Sequence, residues 1–190
     1  MRRMLATAFA MMILVPAIAR AADNYKIDPV HSDVIYRISH MNVSNQYGRF
    51  DDPTGMVVYD KNDPTKCSFT FEVQANKIDT GFAKRDQDLR GPDYFDAKQF
   101  PTITFKSTSV EGSGDEYKVT GDLTLHGVTK SITVPIKKTG EADVSQMKMG
   151  YRTGWQAEVD LKRTDYGMNT MVGPVGDDIH LIISFEAVKQ

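Results

Sequence analysis

Cysteine is almost missing from this chain. Cys67 is the single one in 190 residues, so no internal disulfide can form and the fold must be held by its core. A solitary thiol at a strand start reads as a small, inert hydrophobe. Charge of one sign is lacking too: 23 Lys and Arg stand against 25 Asp and Glu, which argues against a nucleic-acid partner. The four histidines, His31, His40, His126 and His180, never fall at the spacing of zinc ligands and read as ordinary strand-end residues. No G-x-S-x-G elbow, dinucleotide fingerprint or phosphate loop occurs; Gly112-Ser113-Gly114 belongs to a hairpin turn. Asp86, Asp88, Asp93 and Asp96 crowd together without the Asp-x-Asp-x-Asp-Gly order of a calcium loop, so helix capping and loop hydrogen bonds are their expected roles. No catalytic residue, metal or cofactor is expected, and the chain reads as a protein that is not an enzyme.

Long hydrophobic runs are absent except at the start. Arg2 and Arg3, an apolar stretch from Leu5 to Ile18, and Ala19-Arg20-Ala21 have the layout of a secretory signal peptide cleaved near Ala21/Ala22. Pro16 interrupts the stretch, which is shorter than the ~20 residues that span a bilayer, so no stable membrane insertion is expected. Residues 1–21 carry three arginines and no acid, leaving 20 basic and 25 acidic side chains, a net charge of −5, on residues 22–190. That length suits one domain.

What is present is period-two alternation, repeated about eight times. It begins in His31 to His40, where Val34, Tyr36 and Ile38 alternate with polar residues, and continues from Tyr47 to Tyr59 with a bend at Pro53 and Gly55. The third run places Phe69, Phe71, Val73 and Ala75 on one face; Ile103 and Phe105 open a fourth. After a turn at Glu111–Asp115 come Val119, Leu123 and Leu125, then Ile132, Val134 and Ile136. The seventh and longest run takes Met147, Met149, Tyr151, Thr153, Trp155, Ala157, Val159 and Leu161, and Ile179, Leu181, Ile183 and Phe185 form the eighth. One stretch, Lys84 to Phe105, breaks the pattern. It predicts a short helix and loop near 84–100 that carries Leu89, Tyr94, Phe95 and Phe100, enough apolar surface to cover one end of the sheet.

Eight half-apolar strands in hairpin order need one face hidden and no open edges, and closing the sheet does both. The expected fold is all-β, an eight-stranded antiparallel up-and-down barrel. A two-sheet sandwich has the same alternation, and an outer-membrane barrel inverts it but needs aromatic girdles that the strand ends lack. An interior this apolar suits a lipid tail, unless side chains fill it completely. At about 0.8 kcal/mol per buried methylene, micromolar affinity, which needs about 8 kcal/mol net of an association cost of ~4–15 kcal/mol, requires a tail well beyond ten carbons.

The motifs His31-Ser32-x-Val34, Gly48-Arg49-Phe50, Asp88-Leu89-Arg90, Tyr94-Phe95-Asp96, Phe100-Pro101-x-Ile103-x-Phe105, Gly121-Asp122-Leu123-Thr124-Leu125-His126-Gly127 and Arg163-Thr164-Asp165-Tyr166-Gly167 together resemble the YceI family of periplasmic proteins. The resemblance implies a lipocalin-like barrel that holds a polyprenyl, quinone-type or similar long amphiphile. Tyr94 and Tyr166 stand where the family often has Phe, adding hydroxyls that need partners, and Ser131 stands where Pro is common. The expected lining is Val34, Tyr36, Ile38, Phe69, Phe71, Val73, Phe95, Ile103, Phe105, Leu123, Leu125, Ile132, Val134, Trp155, Val159, Leu181 and Ile183, with Lys84, Arg85 and Arg90 placed to meet a head group. A periplasmic binding or carrier protein, open to homodimerisation, is the leading expectation. The rivals are a lipid hydrolase or isomerase using an acid from the Asp86–Asp96 cluster, and a filled barrel acting through its surface.

Overall fold

The computed structural model describes residues 22–190; the expected leader, 1–21, lies outside the described residues. Ten strands follow in order: β1 (Asp23–His40), β2 (Ser44–Phe50), β3 (Thr54–Tyr59), β4 (Ser68–Gln74), β5 (Ile78–Asp79), β6 (Thr102–Ser113), β7 (Glu116–Leu125), β8 (Val128–Asp143), β9 (Tyr151–Lys162) and β10 (Val175–Lys189), with one helix, α1 (Ala83–Leu89), between β5 and β6. β1 pairs with β2 through its C-terminal half and with β3 through its N-terminal half, so β2 and β3 act as one bent strand. β4 and β5 do the same against them. That makes eight staves. Neighbours in sequence pair antiparallel, and β10 returns to β1, with Ile35 opposite Ile182, closing the sheet. The bend at Pro53 and Gly55 is forced by a close approach: a Cβ on Gly55 would lie 2.0 Å from the Thr70 carbonyl oxygen.

The interior is packed at one end. Trp155 is 1% exposed and meets Tyr59 and Phe69 edge-on at centroid distances of 5.3 and 5.2 Å, with Tyr25, Tyr117 and Phe185 around it. Its indole N–H donates to Thr153 Oγ1 at 2.9 Å, so the burial leaves no orphan donor. Side chains between the buried ones, such as Lys118, Thr133 and Glu158, face outward and are exposed.

Four details differ from the pattern in the sequence. β1 begins at Asp23, not His31, and buries Tyr25 and Ile27; a register shift between Ile27 and Ser32 opposite β10 breaks the alternation there. β9 begins at Tyr151, not Met147. Ser145–Met147 is a 3₁₀ turn, Lys148 is left-handed, and Met147 is exposed, because β8 ends its pairing at Asp143 opposite Tyr151. The turn expected over Glu111–Asp115 shrinks to Gly114-Asp115, with Ser113 still paired to Glu116. His31 lies within β1 and His180 within β10, not at strand ends, bonded to Asp28 and Asp160, each at 2.8 Å.

Candidate functional site

A cavity of about 450 Å³ occupies the other end of the barrel. Three layers account for it. The aromatic cluster around Trp155 fills the far end, and Phe71, Phe105, Ile132, Val159 and Ile183 form a floor that packs on that cluster from one side and on the cavity-end clusters from the other. Above the floor the inward positions are mostly aliphatic and too short to meet across the lumen. Gly48 contributes to the width: a Cβ there would lie 2.5 Å from the Tyr36 hydroxyl, so the missing side chain lets the Tyr36 ring lie against the β2 wall.

Of the expected lining, Val34, Tyr36, Ile38, Val73, Phe95, Ile103, Leu123, Leu125 and Leu181 reach the cavity wall. Phe69, Val134 and Trp155 do not; they belong to the packed end. Phe71, Phe105, Ile132, Val159 and Ile183 are the floor. Alternation sorts inside from outside but says nothing of height along the barrel axis, which is why one face of each strand was read as a single lining. Lys84 and Arg85 stand at the mouth. Arg90 does not, since its guanidinium donates to the Ile78 carbonyl at 2.7 Å and ties the loop to β5.

Two long connections supply most of the mouth, and the turn between β1 and β2 completes it. In the first, Asp86 accepts from the Thr80 backbone N–H at 2.9 Å and from its hydroxyl, and Arg85 donates to Thr80 Oγ1 and O, each at 2.8 Å, and to Gln46 Oε1 at 3.1 Å. Asp88 lines the cavity in an ion pair with Lys84. In the second, from β9 to β10, Tyr166 and Met168 are buried under the mouth and Met171 lines it.

Arg163 has a role at this site that its motif, Arg163-Thr164-Asp165-Tyr166-Gly167, does not by itself mark. It is 4% exposed, lines the cavity, and donates to the carbonyls of Gly176, Met168 and Val175 at 2.8, 2.7 and 3.1 Å. Burial lowers its pKa, and the nearby Asp177 carboxylate opposes that. Its position two residues after Leu161, where the inward register of β9 runs on into the 3₁₀ turn Arg163–Tyr166, is the signal in the sequence that points to it. Tyr36 is a second polar group on the wall. Burial pushes its phenol up to about 12, with Arg85 opposing, and its hydroxyl has no hydrogen bond among the described residues. The polar groups on the wall are thus mixed: donors on Tyr36, Lys84, Arg85 and Arg163 stand beside Ser39, His40, Gln46, Asp88 and Tyr94.

One cluster outside the cavity has metal-like proximity. Ligand atoms of Asp28, His31 and Glu186 lie within 4.8 Å of one another. Arg152 Nη1 donates to both carboxylates, at 2.6 Å to Asp28 and 2.8 Å to Glu186, so a guanidinium already sits between them.

A family profile described as the YceI-like domain matches residues 25–187. Protein YceI of Salmonella agona (strain SL483) is 38% identical over 191 residues, covering 100% of this chain and 98% of that protein. Among solved structures, Burkholderia cenocepacia BcnA is similar with a TM-score of 0.76 at 24% identity, over 85% of this chain and 99% of that one. A polyisoprenoid binding domain from Saccharophagus degradans, implicated in plant cell wall breakdown, has a TM-score of 0.65 at 17% identity, over 87% and 98%. At these identities the structural likeness speaks for the fold.

Proposed function

Because the chain belongs to the YceI-like family, we propose that it is a lipid-binding barrel that sequesters or carries a long-chain isoprenoid, of polyprenyl or quinone type, in the periplasm. The observation that carries this reading is the apolar cavity of about 450 Å³ above a packed floor, open at one end. Its size falls in the range of ligand sites, and its walls are apolar with a few convergent polar groups. The likeness to a polyisoprenoid binding domain supports the same ligand class.

The tail lies among Val34, Ile38, Val73, Ile103, Leu123, Leu125 and Leu181, and the head group rests at the mouth. There Lys84 and Asp88 balance each other, the Tyr36 hydroxyl is left without a partner among the described residues and the Arg85 guanidinium, held by Thr80 and Gln46, leaves the mouth with positive charge, so a quinone carbonyl or a phosphate is preferred over an amine. Water is kept from the tail by the α1 segment and by Met168. No covalent step is proposed.

Solvent extraction of the purified protein followed by mass spectrometry, with uptake assays using isoprenoid quinones and polyprenyl phosphates, tests the reading. A bound or captured long isoprenoid is expected, with a rise in melting temperature equivalent to about 2.7 kcal/mol at a hundredfold excess over Kd. A protein that carries no lipid and takes up none sinks the proposal.

A further inference from the structure

Nine large apolar side chains are well exposed among the described residues, and they are not scattered evenly. Six of them, Met41, Val43, Tyr47, Phe82, Met171 and Val172, belong to the connections at the cavity mouth or, for Tyr47, to the β2 strand that follows one of them. Tyr47, Phe82 and Met171 also line the cavity, so the exposed apolar rim is continuous with the apolar interior. The rim is tied together: the Met41 N–H donates to the Pro174 carbonyl at 2.5 Å, the Tyr94 hydroxyl to Met171 Sδ at 3.6 Å, and Arg85 to Gln46 at 3.1 Å.

The backbone adds a second observation. Met41 and Met171 have φ of 53° and 54°, a left-handed conformation that Gly or Asn adopts at far lower cost. Methionine is present at both positions with its side chain half exposed. Such strain is tolerated where the side chain itself has a use. Charge does not explain the rim, since residues 41–47 and 168–176 hold no Lys, Arg, Asp or Glu and residues 80–101 hold four Lys and Arg against four Asp.

Resting on the reading that the cavity takes a long isoprenoid, we infer that this rim docks on the surface of a lipid bilayer and that the ligand passes directly between bilayer and cavity. Each methylene that must cross water lowers the escape rate about fourfold, so ten carbons slow it about a millionfold. A docked mouth removes that barrier. Met, Val, Phe and Tyr around an opening suit the interfacial region of a bilayer, where aromatic rings settle at the head-group level and apolar chains dip below it. A protein partner is matched less well, because its interface would be framed by a polar rim with fixed hydrogen bonds.

The test uses the purified protein as the cell processes it, loaded with a tritiated quinone of eight isoprene units. It is floated with vesicles of phosphatidylethanolamine and phosphatidylglycerol at 3:1, and with vesicles of phosphatidylcholine alone. Flotation with both compositions is expected, as is a quinone transfer rate that rises in proportion to acceptor vesicle concentration. Val43→Asp combined with Val172→Asp, both off the cavity wall, should lower the transfer rate at least tenfold while equilibrium uptake from detergent stays within twofold. A transfer rate independent of vesicle concentration overturns the inference, as does a double variant that floats and transfers like the parent. A mouth-to-mouth dimer, dissolved by the same substitutions in a protein that never floats, also overturns it. Failure of the parent to take up quinone overturns the ligand reading instead, and flotation still decides the docking.

Discussion

At the bulge of β1, Asp28 accepts from His31 Nδ1 at 2.8 Å and from Arg152 at 2.6 Å. Burial alone raises its pKa, but those hydrogen bonds outweigh it and hold the carboxyl at about 2, against an ordinary 3.8. A folded-state pKa below the unfolded one contributes stability that is complete above about pH 4 and is lost as pH falls toward 2. Asp28→Asn should therefore lower stability at pH 7 by roughly 1–2 kcal/mol and flatten its dependence between pH 4 and 2, as read by urea unfolding across that window. An unchanged acid limb would assign the loss to other carboxylates. Arg163 is a second test at this scale. Lys replaces three directed N–H groups with a point charge, so Arg163→Lys should cost about 2–3 kcal/mol through carbonyls left unpaired, also read by urea unfolding.

At the scale of the element, the segment from Thr80 to Pro101 is held in shape by its own backbone and tied to the barrel at its end. Phe95 N–H donates to Leu89 O at 3.0 Å, Phe100 N–H to Asp96 O at 2.8 Å, and Ala75 N–H to Pro101 O at 2.8 Å. Within it, Phe95 meets Phe50 edge-on at 5.4 Å and packs on both cavity-end clusters, whereas Leu89 touches only the cluster of Val34, Phe50, Val73 and Ile78. Leu89→Asp should speed isoprenoid exchange with the β-sheet circular dichroism preserved. Phe95→Ala should do the same and also cost about 1–2 kcal/mol, less than the ~3–5 of a fully buried Phe because the side chain is only half buried. Unfolding by Leu89→Asp would mark the segment as core instead of gate. Its helix and its place at the barrel end were legible from the broken alternation and the apolar residues in it. The equal share of the β9–β10 connection was not, because Tyr166 and Met168 sit among Gly, Asp and Asn and form no periodic run.

Across the whole molecule the barrel is neither solid nor hollow. Trp155→Ala should remove about 3–5 kcal/mol and leave quinone uptake intact at temperatures where the variant is folded. Leu181→Trp should do the reverse, since the added ring enters the open cavity and displaces no packed atom: uptake falls while thermal stability holds or rises. Loss of stability in Leu181→Trp would mean that the cavity is closed down in solution. Val159 and Leu161 show why this division was hidden. They are neighbours on one face of one strand, indistinguishable by period, yet one belongs to the floor and the other to the cavity wall.

The sequence by itself determined the eight staves, their order, and which face of each looks inward, because alternation is a local property of extended backbone and hairpin connections leave little choice of neighbour. It also determined that the chain is held without disulfides. Tertiary structure alone decided where along the axis the core stops and the cavity begins, because strand stagger and the reach of Trp155, Phe71 and Phe105 from different strands set that height. The same holds for Arg163 and the rim at Met41 and Met171, whose roles arise from what faces them across the barrel mouth and not from their neighbours in the chain.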